Sequence, residues 1–223
     1  MPSTFTWLDY SEQDRRRMDE VISLFAERTT RDELGIGVVR DALSDLLFPG
    51  INTIQTRARY FLFIPWIYLR LEVSSTPAER FWREAREQEL ALAPPLQAAG
   101  EQGIFGSVAG RTLQRLPSSI YWQGLGVWGI RSFGGPQSEY HRNIDSFYRR
   151  RNSRRSLRQE YGRGEDGSAE DGDRLPRNWH PAIPDPPSSF PTEISFQLTQ
   201  AEAQFLQERI QLSVPGTLLA HLT

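Results

Sequence analysis

Six arginines fall within ten residues: Arg149, Arg150, Arg151, Arg154, Arg155 and Arg158. A set that dense can neutralise several phosphates of a nucleic acid and make binding strongly salt-dependent. Tyr148 and Tyr161 flank it. An acidic run follows at once, from Glu160 through Glu165, Asp166, Glu170, Asp171 and Asp173, and competes for the same guanidiniums, so a solvated charge run is the plainer alternative. A second group, Asn52, Thr53, Gln55, Thr56, Arg57 and Arg59, holds residue types that read base edges and grip phosphates from a helix N-terminus. It suits a helix-turn-helix made from residues 36–48, the Phe48-Pro49-Gly50 turn and the next helix. Against that stand the length of the turn and the wholly apolar character of the helix after one or two turns. The alternative pairs Arg57 and Arg59 with Asp41 or Asp45 to pin two core helices. An enzyme with a site around Asp41, Asp45, Arg57 and Arg59 is a further function class.

Other chemistry is thinner. Gly124, Gly126 and Gly129 match the GxGxxG spacing, but a dinucleotide site needs those glycines between a buried strand and a helix. Here Ile120-Tyr121-Trp122-Gln123 continues a helix begun at Pro117, so the glycines read as a helix end packed by its aromatics. Asp145 stands at a plausible ribose distance without supplying that context. His141, His180 and His221 lack the spacing that brings two to one ion. The chain has no cysteine, which excludes thiolate metal sites, disulfides and cysteine nucleophiles. All 26 basic residues are arginine, which removes Schiff-base and phosphate-loop lysine chemistry. No cofactor or metal is expected. With 26 basic against 28 acidic residues, net charge −2, any anion binding must be local.

The elements that would position these residues are mainly helical, because no stretch before residue 150 alternates with period two. Helices are expected over residues 11–28, 36–48, 54–72 and 77–92, then 107–115, 117–128 and 137–151. In the second, Val39, Leu43, Leu46 and Leu47 should face inward. The third is apolar almost all round and must be surrounded by other helices; Pro65 inside it should kink it. The run from Tyr60 to Leu69 is uncharged but far shorter than the ~18 residues a membrane span needs, so no membrane partner is expected. Met1 to Tyr10 has no basic n-region, which points to a cytoplasmic protein.

Composition changes after residue 148. The expected division is a helical domain over 1–150 and an Arg-rich, then acidic and Gly/Pro/Ser-rich linker over 151–190, disordered in its second part. A short strand-helix segment follows over 191–223, with a strand at residues 193–198 and a capping box at Thr199-Gln200-Ala201-Glu202.

Four words at fixed spacing carry a family resemblance: Trp7-Leu8-Asp9-Tyr10-Ser11; Arg31-Asp32-Glu33-Leu34-Gly35-Ile36-Gly37; Asp45-Leu46-Leu47-Phe48-Pro49-Gly50; and Thr53-Ile54-Gln55-Thr56-Arg57-Ala58-Arg59-Tyr60-Phe61. Over roughly residues 5–150 the chain resembles an uncharacterised bacterial family, domain of unknown function (DUF) 6361. The resemblance transfers no catalytic role. It implies a C-terminally shortened member and a multi-protein, possible defence setting. Together with the arginines, it points to a non-enzymatic interaction or nucleic-acid-contacting component, with a protein or a nucleic acid as partner.

Overall fold

In the computed structural model, residues 35–160 and 176–223 are described, and the chain divides into two units, Met1–Ser44 and Asp45–Thr223. The helix expected over 11–28 lies outside the described residues. Helix α1, Ile36–Leu47, begins in the first unit and ends in the second. Its limits follow the expected ones, but its apolar stripe does not turn inward: Val39, Leu43, Leu46 and Leu47 are all exposed. A 3.6-residue period locates an apolar face without specifying what covers it.

The second unit is built around helix α2, Tyr60–Val73. Every residue from Tyr60 to Tyr68 is buried, as an apolar surface on all sides requires. The helix starts six residues later than expected because side chains satisfy the preceding amides. Asn52 Oδ1 accepts from the amides of Ile54 and Gln55, both at 3.1 Å, and Tyr121 Oη accepts from those of Thr56 and Arg57, at 2.9 and 3.1 Å. Helix α3, Ala78–Leu90, follows, and Pro94-Pro95, which reads as a stop, lies in the first turn of a short α4, Ala93–Ala98. The helix expected over 107–115 shrinks to a single 3-10 turn, Gly110–Thr112, next to a loop in which Gly106 and Gly110 both take positive φ. Helices α5, Pro117–Val127, and α6, Gln137–Glu160, come next, the latter extending nine residues past its expected end. Helix α7, Gln200–Ser213, opens on the expected capping box, and α8, Leu218–Leu222, is capped by Thr217. The protein is mainly α.

Helix α2 packs on α3 and α5, α3 packs on α6, and α7 packs on α8. Residues 176–223 do not stand apart as a linker and second segment. Trp179, Ile194, Phe205, Leu206, Ile210 and Leu219 belong to the same core cluster as α2. Polar contacts reinforce this: Trp66 Nε1 donates to the Pro184 carbonyl at 2.7 Å, and Arg209 Nε and Ser213 Oγ donate to that of Trp128 at 3.1 and 2.9 Å. No strand forms over 193–198, where the backbone bonds go to side chains: Arg59 donates to the Ser195 carbonyl, and Glu101 accepts from the Phe196 amide. The remainder of the expected linker, 161–175, lies outside the described residues. Among the described residues no helix is long and apolar enough to cross a membrane.

Candidate nucleic-acid interface

Helix α6 changes character along its length. Its first half is anchored by Tyr140, Ile144, Phe147 and Tyr148, all buried. Tyr140 Oη donates to Glu72 Oε1, which also accepts from Asn178 Nδ2 and Trp179 Nε1, both at 3.0 Å. Tyr148 Oη donates to the Thr76 carbonyl at 3.1 Å. Steps of three and four residues keep to one helix face, and continuing them from Tyr140, Ile144 and Phe147 reaches Arg151, then Arg154 and Arg155. The row that begins as aromatic core thus continues as arginine. Arg151 marks the transition: half-buried, it donates to the Glu72 carbonyl at 3.4 Å, and its guanidinium lies 5.6 and 5.3 Å from the Phe147 and Tyr148 rings. Arg149, Arg150, Arg154 and Arg155 are exposed, and Arg158 lies within the same helix. Beside them, Phe133, Glu139, Asn143, Ser146, Arg149 and Arg150 line an open depression of about 600 Å³. Arg149 Nη2 is held there by Ser146 Oγ at 3.0 Å.

The other two candidate arginines go different ways. Arg57 is exposed, with Nε donating to the Gln102 carbonyl at 3.0 Å and its guanidinium 5.7 Å from the Phe196 ring. Arg59 is buried and bonds Glu202 at 2.7 Å, over the Phe63 and Trp66 rings. That ion pair takes Arg59 out of reach of a phosphate. Residues 52–57 precede α2 as turns rather than forming its leading end, so the helix-turn-helix geometry is absent there. Asp41 is exposed and bonded to Arg40 at 2.8 Å, and Asp45 is exposed; neither is the partner of Arg59.

Gly124, Gly126 and Gly129 sit in and just after α5, not between a strand and a helix. A Cβ on Gly124 would stand 2.3 Å from the Gly50 carbonyl and 2.9 Å from the Phe61 ring. Trp128, stacked on Phe61 at 4.0 Å, donates to the Pro49 carbonyl. The spacing serves close packing. Among the described residues, no group of three or more His, Asp or Glu side chains gathers to hold a metal ion.

Of three buried carboxylates, Glu72, Glu89 and Glu202, residue types and spacing single out Glu202 alone, and only as a helix cap. Burial pushes Glu72 above the usual carboxylate range against its three hydrogen bonds. Burial likewise lifts Glu89 to about 7; one oxygen accepts from the Ser118 amide at 2.8 Å and the other is unpartnered. A polar chain runs nearby: Gln137 Nε2 donates to Ser118 Oγ and Tyr68 Oη, both at 2.7 Å, and Tyr68 Oη lies 3.2 Å from His141 Nε2. Desolvation lowers His141 to about 4, so its ring is neutral and free to accept from Tyr68. The signal was present: Glu89 follows Phe81 and Ala85 at four-residue steps, on the face that packs inward.

A family model described as "Family of unknown function (DUF6361)" matches residues 2–149. Neither a curated protein nor a solved structure matches the chain.

Proposed function

The chain belongs to DUF6361, a family of unknown function, and we propose that it is a non-enzymatic, nucleic-acid-contacting component of a multi-protein system, gripping phosphates along the second half of α6. The observation that carries this reading is the continuation of the buried Tyr140-Ile144-Phe147 row into arginine. A helix held by the core over its first three turns presents its later arginines at fixed 1.5 Å-per-residue spacing, so little ordering entropy opposes simultaneous phosphate contacts. Arg149 and Arg150, at the edge of the Phe133-Ser146 depression, extend the same basic surface. Arg57 is a further exposed cation, whereas Arg59 acts in the core. The family resemblance supports the multi-protein setting.

The test is fluorescence anisotropy with labelled single-stranded and duplex DNA and RNA across a salt series. Affinity is expected to fall linearly on a log–log plot with a slope of about −0.7 to −0.9 per phosphate contacted. Replacing Arg149, Arg150, Arg154, Arg155 and Arg158 with Gln should flatten that slope without changing the circular dichroism spectrum. Arg151 is retained because it is tied to the Glu72 carbonyl. Absence of binding to every probe at low salt rejects the reading.

A further inference from the structure

We propose a second, separate site: the groove between α3 and the 106–111 loop docks an acidic peptide segment of a partner protein that inserts an apolar side chain. The groove has a volume of about 740 Å³ and is lined by Trp82, Arg83, Arg86, Leu90, Val108 and Arg111, together with Ala91 and Pro94. One wall is the outer face of α3, whose opposite face is fixed in the core by Phe81, Ala85 and Glu89. The other wall is the loop, closed by the Gly110 amide donating to the Gly106 carbonyl at 2.8 Å.

The walls are tied together. Arg86 Nη2 donates to the carbonyls of Arg111 and Leu113, at 2.9 and 3.0 Å, and its guanidinium lies 5.9 Å from the Trp82 ring. The groove is therefore formed before anything enters it, which lowers the ordering cost of binding. Two large apolar side chains stand open to water at its rim, Trp82 at 53% and Val108 at 100% of their accessible surface. Grouped rather than scattered, such residues mark an interaction surface.

Charge selects the occupant. Arg83 and Arg111 are exposed, and among the described residues their guanidiniums meet no carboxylate within salt-bridge distance; Glu87 is the single acid in the lining and pairs with neither. Guanidiniums of this kind take carboxylates bidentately. The aliphatic lining of Leu90, Ala91 and Pro94 suits an aliphatic or aromatic side chain, whereas single-stranded nucleic acid calls for a run of aromatic platforms. An acidic peptide with an apolar anchor meets both requirements.

A displayed library of random twelve-residue peptides, selected on the intact chain and counter-selected on the Arg83→Glu/Arg111→Glu variant, tests this. The expected result is an enriched motif of Asp or Glu around one or two large apolar residues. Its synthetic peptide should lose about tenfold or more in affinity on that double variant and on Val108→Asp, each with an unchanged circular dichroism spectrum. Failure of any motif to enrich, a motif without acids, or affinity indifferent to these substitutions overturns the proposal. So does a single-stranded oligonucleotide whose binding, rather than the peptide's, is lost on the double variant. The Gln variant of the α6 arginines should bind the peptide normally, which separates this site from the nucleic-acid reading.

Discussion

At the scale of single residues, the buried titratable groups set how stability responds to pH. Glu89 has a folded-state pKa raised by burial to about 7, above its unfolded value. Below the unfolded value it is neutral in both states and costs nothing. As pH rises toward 7 the unfolded chain releases the proton while the folded chain keeps it, so stability falls, and the penalty is complete above 7. His141 has the opposite slope: its folded value is lowered to about 4, so it destabilises the fold as pH falls from 6.5 toward 4. Over the shared interval the two oppose each other, and Glu72, also raised by burial, adds to the Glu89 slope, so the wild-type curve alone isolates neither group. The difference between Glu89→Gln and wild type isolates the carboxylate. Gln can still accept from the Ser118 amide while carrying no charge. Thermal unfolding should show the variant's advantage growing from pH 5 to pH 8, to on the order of 3 kcal/mol. An advantage independent of pH would mean that Glu89 titrates in its ordinary range.

At the scale of elements, periodicity and capping chemistry made most helices readable. The capping box at Thr199 and Glu202 forms as its sequence implies, and the all-apolar Tyr60–Tyr68 run becomes the innermost helix. Boundaries failed where side chains competed with the helix for backbone amides, as Asn52 and Tyr121 do ahead of α2. The 107–115 segment failed because Gly110 within it, and Gly106 just before it, take left-handed backbone. The glycine motif shows why context decides a motif's meaning. Gly124 lies in a helix whose backbone comes up against the Gly50 turn, where any side chain meets a carbonyl oxygen rather than a flexible chain end. Gly124→Ala is therefore expected to destabilise by about 1–3 kcal/mol through overpacking, measured by urea denaturation. A variant as stable as wild type would show that the Gly50 turn relaxes freely.

At the scale of the whole chain, composition was a poor guide to domain limits. Pro and Ser between residues 176 and 190 suggest a tether, but Trp179, Ile183 and Phe190 among them pack on the core, and a few large apolar residues outweigh many polar ones in burying surface. Neither the Arg59–Glu202 ion pair nor the Glu72 cluster was legible, because each joins residues more than one hundred positions apart and only the fold brings them together. The same contacts decide what happens when the chain is cut. Separating residues 176–223 from the rest would take the Glu202 carboxylate and the Ser195 carbonyl from the Arg59 guanidinium and open it to water. It would also uncover Phe63, Trp66 and Trp179. A specific protease sequence inserted between residues 161 and 175 should therefore yield two pieces that elute together in native size-exclusion chromatography and part only in denaturant. If the N-terminal piece, ending near residue 160, elutes alone and folded, then residues 176–223 are dispensable to the core and the division at residue 150 describes the protein better.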